Sequence, residues 1–352
     1  MCKKYSLYFV LFLSISSLSA CSSISYFSHL AKGQFDLLWQ RQSVVELLAS
    51  DETPAHLKQR LLLSEKVRRF AEVHLHLPVG NAYSSYTDLG RDFVVWNVYA
   101  APELTLQAYT WCYPLLGCMA YRGYYEEQWA KSAAAELEAQ GYEIKVGGVQ
   151  AYSTLGYFDD PLLNTFIFRE ESGFIELLLH ELAHRKLYIK DDTAFNENFA
   201  TAVAYLGTQQ WYVSTDPQAD SAASDPGRER FEILIAFLLD IKDRLAGVYN
   251  NVELTVEQKR EQKKLIMIAL EKDYEALKNQ YHWDNRYDRW VLGMNNASFA
   301  TLSNYQQWVP AFIKLYQQQG QDWLSFYRTV EILAEQDKNI REQKLNALLA
   351  EP

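Results

Sequence analysis

Between Gly173 and Tyr205 the chain reads GFIELLLHELAHRKLYIKDDTAFNENFATAVAY, and His180, Glu181 and His184 within it have the types and spacing of a metal-hydrolase centre. Residues four apart share one face of an α-helix, so both imidazoles can reach one ion, with Glu181 about 60° of helical rotation from His184. A zinc site open for catalysis takes three protein ligands and keeps the fourth position for water. The third ligand must come from elsewhere, and Glu197 is the candidate. Asp191 and Asp192 are the alternatives, in a connecting loop expected to be solvated and mobile. Glu181 would then serve as general base. The competing account is a buried helical hairpin whose histidines are satisfied by core partners.

The elements that must position these groups follow from periodicity. Leu177, Leu178, Leu179, Leu182, Ala183 and Leu187 make the first half apolar nearly all round, the mark of a buried helix. That helix should run about a turn past His184, break at Lys190-Asp191-Asp192 and restart with Asp192 or Thr193 as N-cap. In an antiparallel pair, Glu197 then stands level with His184. Ala200, Thr201 and Ala202 keep the second helix small-faced. Upstream, the pattern predicts helices over 33–50 and 54–75, strands over 92–100 and 104–113, a helix near 126–139 and a strand over 142–152. His74 and His76 would share one face of a further strand. The stretch 156–168 would continue a rim where an extended peptide adds to a strand edge, with Asp159 and Asp160 orienting its amine or capping a turn. Residues 214–227 have loop composition. Helices should follow over about 255–280, from Asn295-Asn296-Ala297 onward, and from Trp323 to about Leu349.

Residues 1–20 carry Lys3 and Lys4, then an apolar run, and read as a secretory signal. The ending Leu18-Ser19-Ala20-Cys21 resembles the bacterial lipobox, in which cleavage leaves a lipidated cysteine, here Cys21, as the mature N-terminus. An ordinary signal peptide with a nearby cysteine is the alternative. Acylated Cys21 would hold the protein on a membrane, and Ser22 in place of an Asp retention signal favours the outer membrane, facing the periplasm. Residues 21–35 are expected to be a tether and 36–352 the catalytic domain. Losing the leader takes the formal charge from -10 to -12, which argues against nucleic acid as a partner. In an oxidising envelope Cys112 and Cys118 would form a disulfide, with two buried free thiols as the alternative.

The phrases DLGRDFVVWNVYAAPE, WCYPLLGCMAYRGYY, GYFDDPLLNTF, HELAH, DTAFNENFATAVA and NNASFATLSNYQQWVPAF run in order from about Asp88 to Phe312. Through them the chain resembles bacterial lipoproteins described as predicted aminopeptidases, which carry a gluzincin-like zinc motif. The resemblance implies His180, His184 and Glu197 as ligands of one Zn2+ and Glu181 as base. It implies a mainly α, α+β fold of zincin type, with a small mixed sheet beside the metal helix and a helical C-terminal part from about residue 228. Arg122 could contact substrate or make an ion pair within the fold. Tyr305 could donate to an oxyanion and Asn295 or Asn296 could hold a peptide backbone, although packing or capping would also account for them. A zinc aminopeptidase acting on envelope peptides leads the functional classes. An endopeptidase, including one that cuts peptidoglycan peptides, and a lipoprotein adaptor with structural zinc are the rivals.

Overall fold

The computed structural model describes residues 25–113, 117–151, 154, 158–215 and 226–350, apart from the side chains of 226–228 and 303–306. The leader, Cys21, Gly156 and most of the 214–227 loop lie outside them. The first half comprises α1 (residues 25–39), β1 (Gln42–Ser43), α2 (Val44–Ala49), α3 (Ala55–Val73), β2 (Ser85–Thr87), β3 (Val95–Pro102), β4 (Trp111–Tyr113), β5 (Gly117–Met119), β6 (Arg122–Tyr124), α4 (Glu127–Glu138), β7 (Tyr142–Val149) and β8 (Leu162–Leu163). From there on every described element is a helix: α5 (Asn164–Ile167), α6 (Glu171–Lys186), α7 (Thr193–Thr215), α8 (Pro226–Asn250), α9 (Val256–Tyr281), α10 (Asp288–Val291), α11 (Asn296–Gln306), α12 (Val309–Gln318), α13 (Trp323–Ala334) and α14 (Lys338–Ala350). The fold is mainly helical with small sheets, an α+β arrangement.

The apolar residues around the His-Glu pair bury α6. Phe174, Ile175, Leu178, Leu179 and Leu182 are at most 1% exposed, and each such side chain stabilises the fold by about 1.5–3 kcal/mol. Helix α7 packs beside α6 and also meets α11 and α12, so the hairpin is covered on both sides. The main core takes in α3, α6, α7 and α12–α14. Helices α8–α11 instead bury Leu234, Leu238, Ile241, Tyr274 and Phe299 around a second core. The helices after residue 228 therefore do not form one unit, because α12–α14 return to the first core.

Two small three-stranded sheets accompany the helices. One is mixed, with β1 antiparallel and β8 parallel to β2, and β8 leads through α5 into α6. The other is antiparallel in the order β6-β3-β7, with Asn97 of β3 opposite Gly123 and Gly147. Alternation along β3 turns Val98 and Ala100 toward Ala130, Ala134 and Leu137 of α4, while Val95, Asn97 and Tyr99 face the other way, into a cavity above α6. Cys112 and Cys118 face each other across the β4-β5 hairpin and are disulfide-bonded.

Several expectations from periodicity are corrected. The tether expected over 21–35 is helical from residue 25, since Tyr26, His29 and Leu37 bury themselves against the domain. The helix expected over 33–50 is interrupted by β1, and the one expected from Trp323 to Leu349 divides between α13 and α14. His74 and His76 share no strand, because His74 ends α3 and His76 takes a left-handed φ of 53°. Of 104–113 only Trp111–Tyr113 is extended in a ladder.

Asp192 is the tie between the hairpin and the C-terminus. Its carboxylate accepts from the Phe195 amide at 3.3 Å, as an N-cap does, and from Arg341 Nη2 at 2.6 Å and Nε at 3.1 Å. Asp192 is 2% exposed and Arg341 7%. The expectation that Asp192 is solvated and mobile is thus wrong: an arginine 149 residues away neutralises it. Removing one partner of a buried pair leaves the other charge uncompensated at a cost of about 3–5 kcal/mol. Arg341→Ala is therefore expected to lower the thermal midpoint far more than Lys338→Ala, whose exposed amine stands 3.9 Å from the same carboxylate; calorimetry of the two variants checks the ranking.

Candidate metal centre and its cavity

Helix α6 ends at Lys186, closer to His184 than one full turn, and α7 begins at Thr193. Between them the Asn196 side chain holds the turn from inside, accepting from the Ile189 amide at 2.8 Å and donating to the Ile189 carbonyl at 2.7 Å. Asn198 anchors the same helix to α12, its side-chain oxygen accepting from the Trp308 amide at 2.7 Å. The carboxylate between these two asparagines, Glu197, is thereby aimed at α6.

Three ligand atoms meet there. His180 Nε2 stands 3.2 Å from Glu197 Oε2 and 3.2 Å from His184 Nε2, and His184 Nε2 stands 3.6 Å from Glu197 Oε2. Two ligands bound tetrahedrally at zinc's usual distances would be about 3.3–3.4 Å apart, so the three edges match one ion. The donor set of two imidazoles and a carboxylate suits the same metal. Core satisfaction does not account for the cluster: Nδ1 of buried His184 has no hydrogen-bond partner among the described residues, and the two Nε2 atoms face each other. Thr201 Oγ1 lies 3.5 Å from His180 Nδ1, on the side away from the cluster. His180, His184 and Glu197 can therefore hold a metal ion, and they form such a group among the described residues. Asp191, the other loop carboxylate, is turned away and accepts from the Cys118 amide at 2.8 Å.

Electrostatics follow from burial and charge. For Glu197 burial acts to raise the pKa, but the electrostatic pull of His184 and hydrogen bonds from both histidines outweigh it and bring the value to about 2. For His180 burial acts to lower the pKa, and Glu197 reverses it into a net rise. Glu181 is raised, chiefly by burial; the two histidines oppose that rise, and Glu197 and Asp160 add to it. A carboxylate pushed upward in this way is suited to taking up a proton near neutrality.

The cluster lies in the wall of a cavity of about 850 Å³, within the range of small-molecule and short-peptide sites. Its floor is one face of α6, with Gly173, Glu176, Leu177, His180, Glu181 and His184 at helical spacing, and one face of α7, with Asn196, Glu197 and Thr201. Its roof is the β6-β3-β7 sheet, which adds Asn97 and Tyr99, with Tyr121 just before β6. Tyr26, Phe27, Leu30 and Gln34 bring α1 into the wall, and Arg169 and Tyr188 complete the polar lining. Burial raises the Tyr121 hydroxyl's pKa far above its usual range, and Glu197, Tyr99, Tyr188 and Glu181 reinforce the effect. The phenol therefore stays a hydrogen-bond donor.

Other residues singled out from sequence lie elsewhere. Among the described residues Arg122 neither lines the cavity nor forms an ion pair; its guanidinium covers the Tyr26 ring at 3.8 Å. Asn295 caps α11 by accepting from the Ser298 amide at 3.0 Å and donates to the Ile144 carbonyl at 2.9 Å. Asn296 is 1% exposed, donates to the carbonyls of Pro102 and Glu103, and accepts from Tyr249. Both asparagines join the second core to the sheet, away from the cavity. Asp160 accepts from the Thr154 amide and hydroxyl, which closes a turn. Tyr305 belongs to α11, but its side chain lies outside the described residues. Sequence reasoning passed over Glu176, Arg169, Tyr188 and Tyr121 as site residues. The signal for Glu176 was present, because it precedes His180 by four on the same helical face.

Protons and metal compete for His180. Raising the pH through its elevated pKa, above 6.5, removes the competing proton. Zinc affinity of the metal-free protein is therefore expected to rise between about pH 6 and 8, with net proton release in calorimetry run in buffers of different ionisation heat. Glu197→Ala should cost more than the roughly 10–100-fold typical of losing a supporting hydrogen bond, as read by competition with a chelator.

Among known proteins, no curated protein and no solved structure matches the chain. A sequence model of one family does match, over residues 25–345, from α1 through most of α14 and across every described element that builds the cavity. The chain belongs to that family, whose description is "Putative aminopeptidase".

Proposed function

We propose that the protein is a zinc-dependent aminopeptidase of zincin type, acting on peptides in the cell envelope, where acylated Cys21 would hold it at the outer membrane facing the periplasm. The observation that carries this reading is the convergence of His180, His184 and Glu197 beside a buried Glu181 on one cavity wall. His180, His184 and Glu197 would hold the ion, which when bound supplies Lewis acidity toward the scissile carbonyl and a lowered pKa for water. Glu181, its own pKa raised, takes the proton from the attacking water and returns it to the leaving amine. Tyr121, kept protonated, donates a hydrogen bond to the oxygen that gains charge in the tetrahedral state. Glu176, one turn before His180 on the cavity face of α6, is the carboxylate placed to receive the substrate ammonium. The aromatic walls exclude water around these groups and favour apolar side chains.

The test offers the zinc-loaded protein a peptide pool in free and N-acetylated forms. Stepwise loss of N-terminal residues from free peptides only is expected by mass spectrometry; internal cuts in both pools would make it an endopeptidase, and no cleavage with zinc bound would favour an adaptor. Glu181→Gln should keep zinc and lose at least about 100-fold in kcat, the lower end of what a general base contributes. Glu176→Gln should raise KM for free peptides while leaving zinc content unchanged, and an unaltered KM would remove Glu176 from the amine site.

A further inference from the structure

Helix α1 has two faces of opposite character. The inner face is fixed to the domain: Tyr26 Oη donates to the Gly123 carbonyl at 3.0 Å, and His29 Nε2 accepts from the Tyr125 amide at 3.0 Å. The His29 ring also stacks on Trp129 with centroids 4.4 Å apart. The outer face carries Phe27, Ala31, Phe35 and Trp39, each four residues from the last. Phe27 is 43% exposed, Phe35 60% and Trp39 77%, and the Phe35 and Trp39 rings stack at 5.5 Å. The contacts of the inner face prevent α1 from rotating to hide these rings, so an aligned apolar stripe faces outward.

We propose that this face lies on the surface of a lipid bilayer. The occupant is chosen by the chain that precedes α1, and the inference rests on the lipidation of Cys21. Only three residues lie between Cys21 and the start of α1 at Ser25, a reach of at most about 14 Å at full extension. Acyl chains at Cys21 would thus hold the stripe beside the bilayer at high effective concentration. Phe and Trp on one face of a helix fixed at the interface bury their rings among headgroups and upper acyl carbons. The exposed charges on or next to α1, Lys32, Asp36 and Arg41, sum to only +1, so aromatic insertion rather than attraction to anionic lipid carries the contact. Phe27 belongs both to this stripe and to the cavity wall. Docking therefore sets one rim of the cavity at the lipid surface, where peptides partitioned into the interface can reach it.

The test uses the full-length lipidated protein in phosphatidylcholine vesicles, with and without phosphatidylglycerol. An environment-sensitive fluorophore is attached at Phe35→Cys, at Trp39→Cys and, as a control, at Val252→Cys, a position 94% exposed between α8 and α9. Labels at 35 and 39 are expected to shift to the blue and to be quenched by lipid-borne nitroxide several-fold more than the label at 252, with either lipid composition. Protein that floats with the vesicles while all three labels stay equally in water would overturn the proposal. Protein that does not float lacks the anchor and removes the premise, whatever its peptidase activity. A blue shift that depends on protein concentration and needs no lipid would assign the face to a second copy, and also overturn it.

Discussion

Two antiparallel helices must approach closely enough for one carboxylate to meet two imidazoles, and the rest of the molecule is arranged around that approach. Small residues make it sterically open. Ala183 on α6 and Ala200, Ala204 and Gly207 on α7 are the points where larger side chains would hold the helices apart; a Cβ on Gly207 would already stand 2.7 Å from Leu75 and 2.9 Å from Leu179. Polar contacts then fix the height. Asn196 closes the turn, Asn198 ties α7 to α12, and the Asp192–Arg341 pair pins the start of α7 to the C-terminal helix. Each uses a buried polar group that is costly to leave unpaired, so the ligand geometry and the stability of the hairpin depend on the same contacts.

What was legible in the sequence was what is local. The His-Glu-x-x-His spacing, the apolar run that buries it and the restart of the helix at Asp192 or Thr193 follow from periodicity and capping chemistry over a few residues, whereas the first helix stops at Lys186, before the break expected at Lys190-Asp191-Asp192. Glu197 followed from counting helical turns. The α+β class and the helical second half were also readable, because long periodic segments carry strong signals.

What was not legible depends on partners distant in sequence. Nothing near Asp192 shows that Arg341 will neutralise it, and a loop aspartate directly after Lys190-Asp191 reads as solvated until that arginine is placed. Arg122, an apparent substrate contact, is spent on the Tyr26 ring, which belongs to a helix read as a tether. Asn295 and Asn296 look like backbone-binding groups, yet Asn295 caps α11 and both fasten it to strand carbonyls. In each case the residue type predicted a polar contact correctly, and tertiary packing decided with whom.

The Asp192–Arg341 pair has a further consequence, for the order in which the molecule is completed. His180, His184 and Glu197 lie within 18 residues of one another and can be gathered by a local hairpin, at little loop-closure cost. The contact that locks the start of α7 spans 149 residues and forms only once Arg341 of α14 has arrived. A nascent chain emerging N-terminus first thus holds its ligand residues together long before it can hold them rigidly. The hairpin's rigidity is thus supplied late, by α14, and not by the hairpin itself.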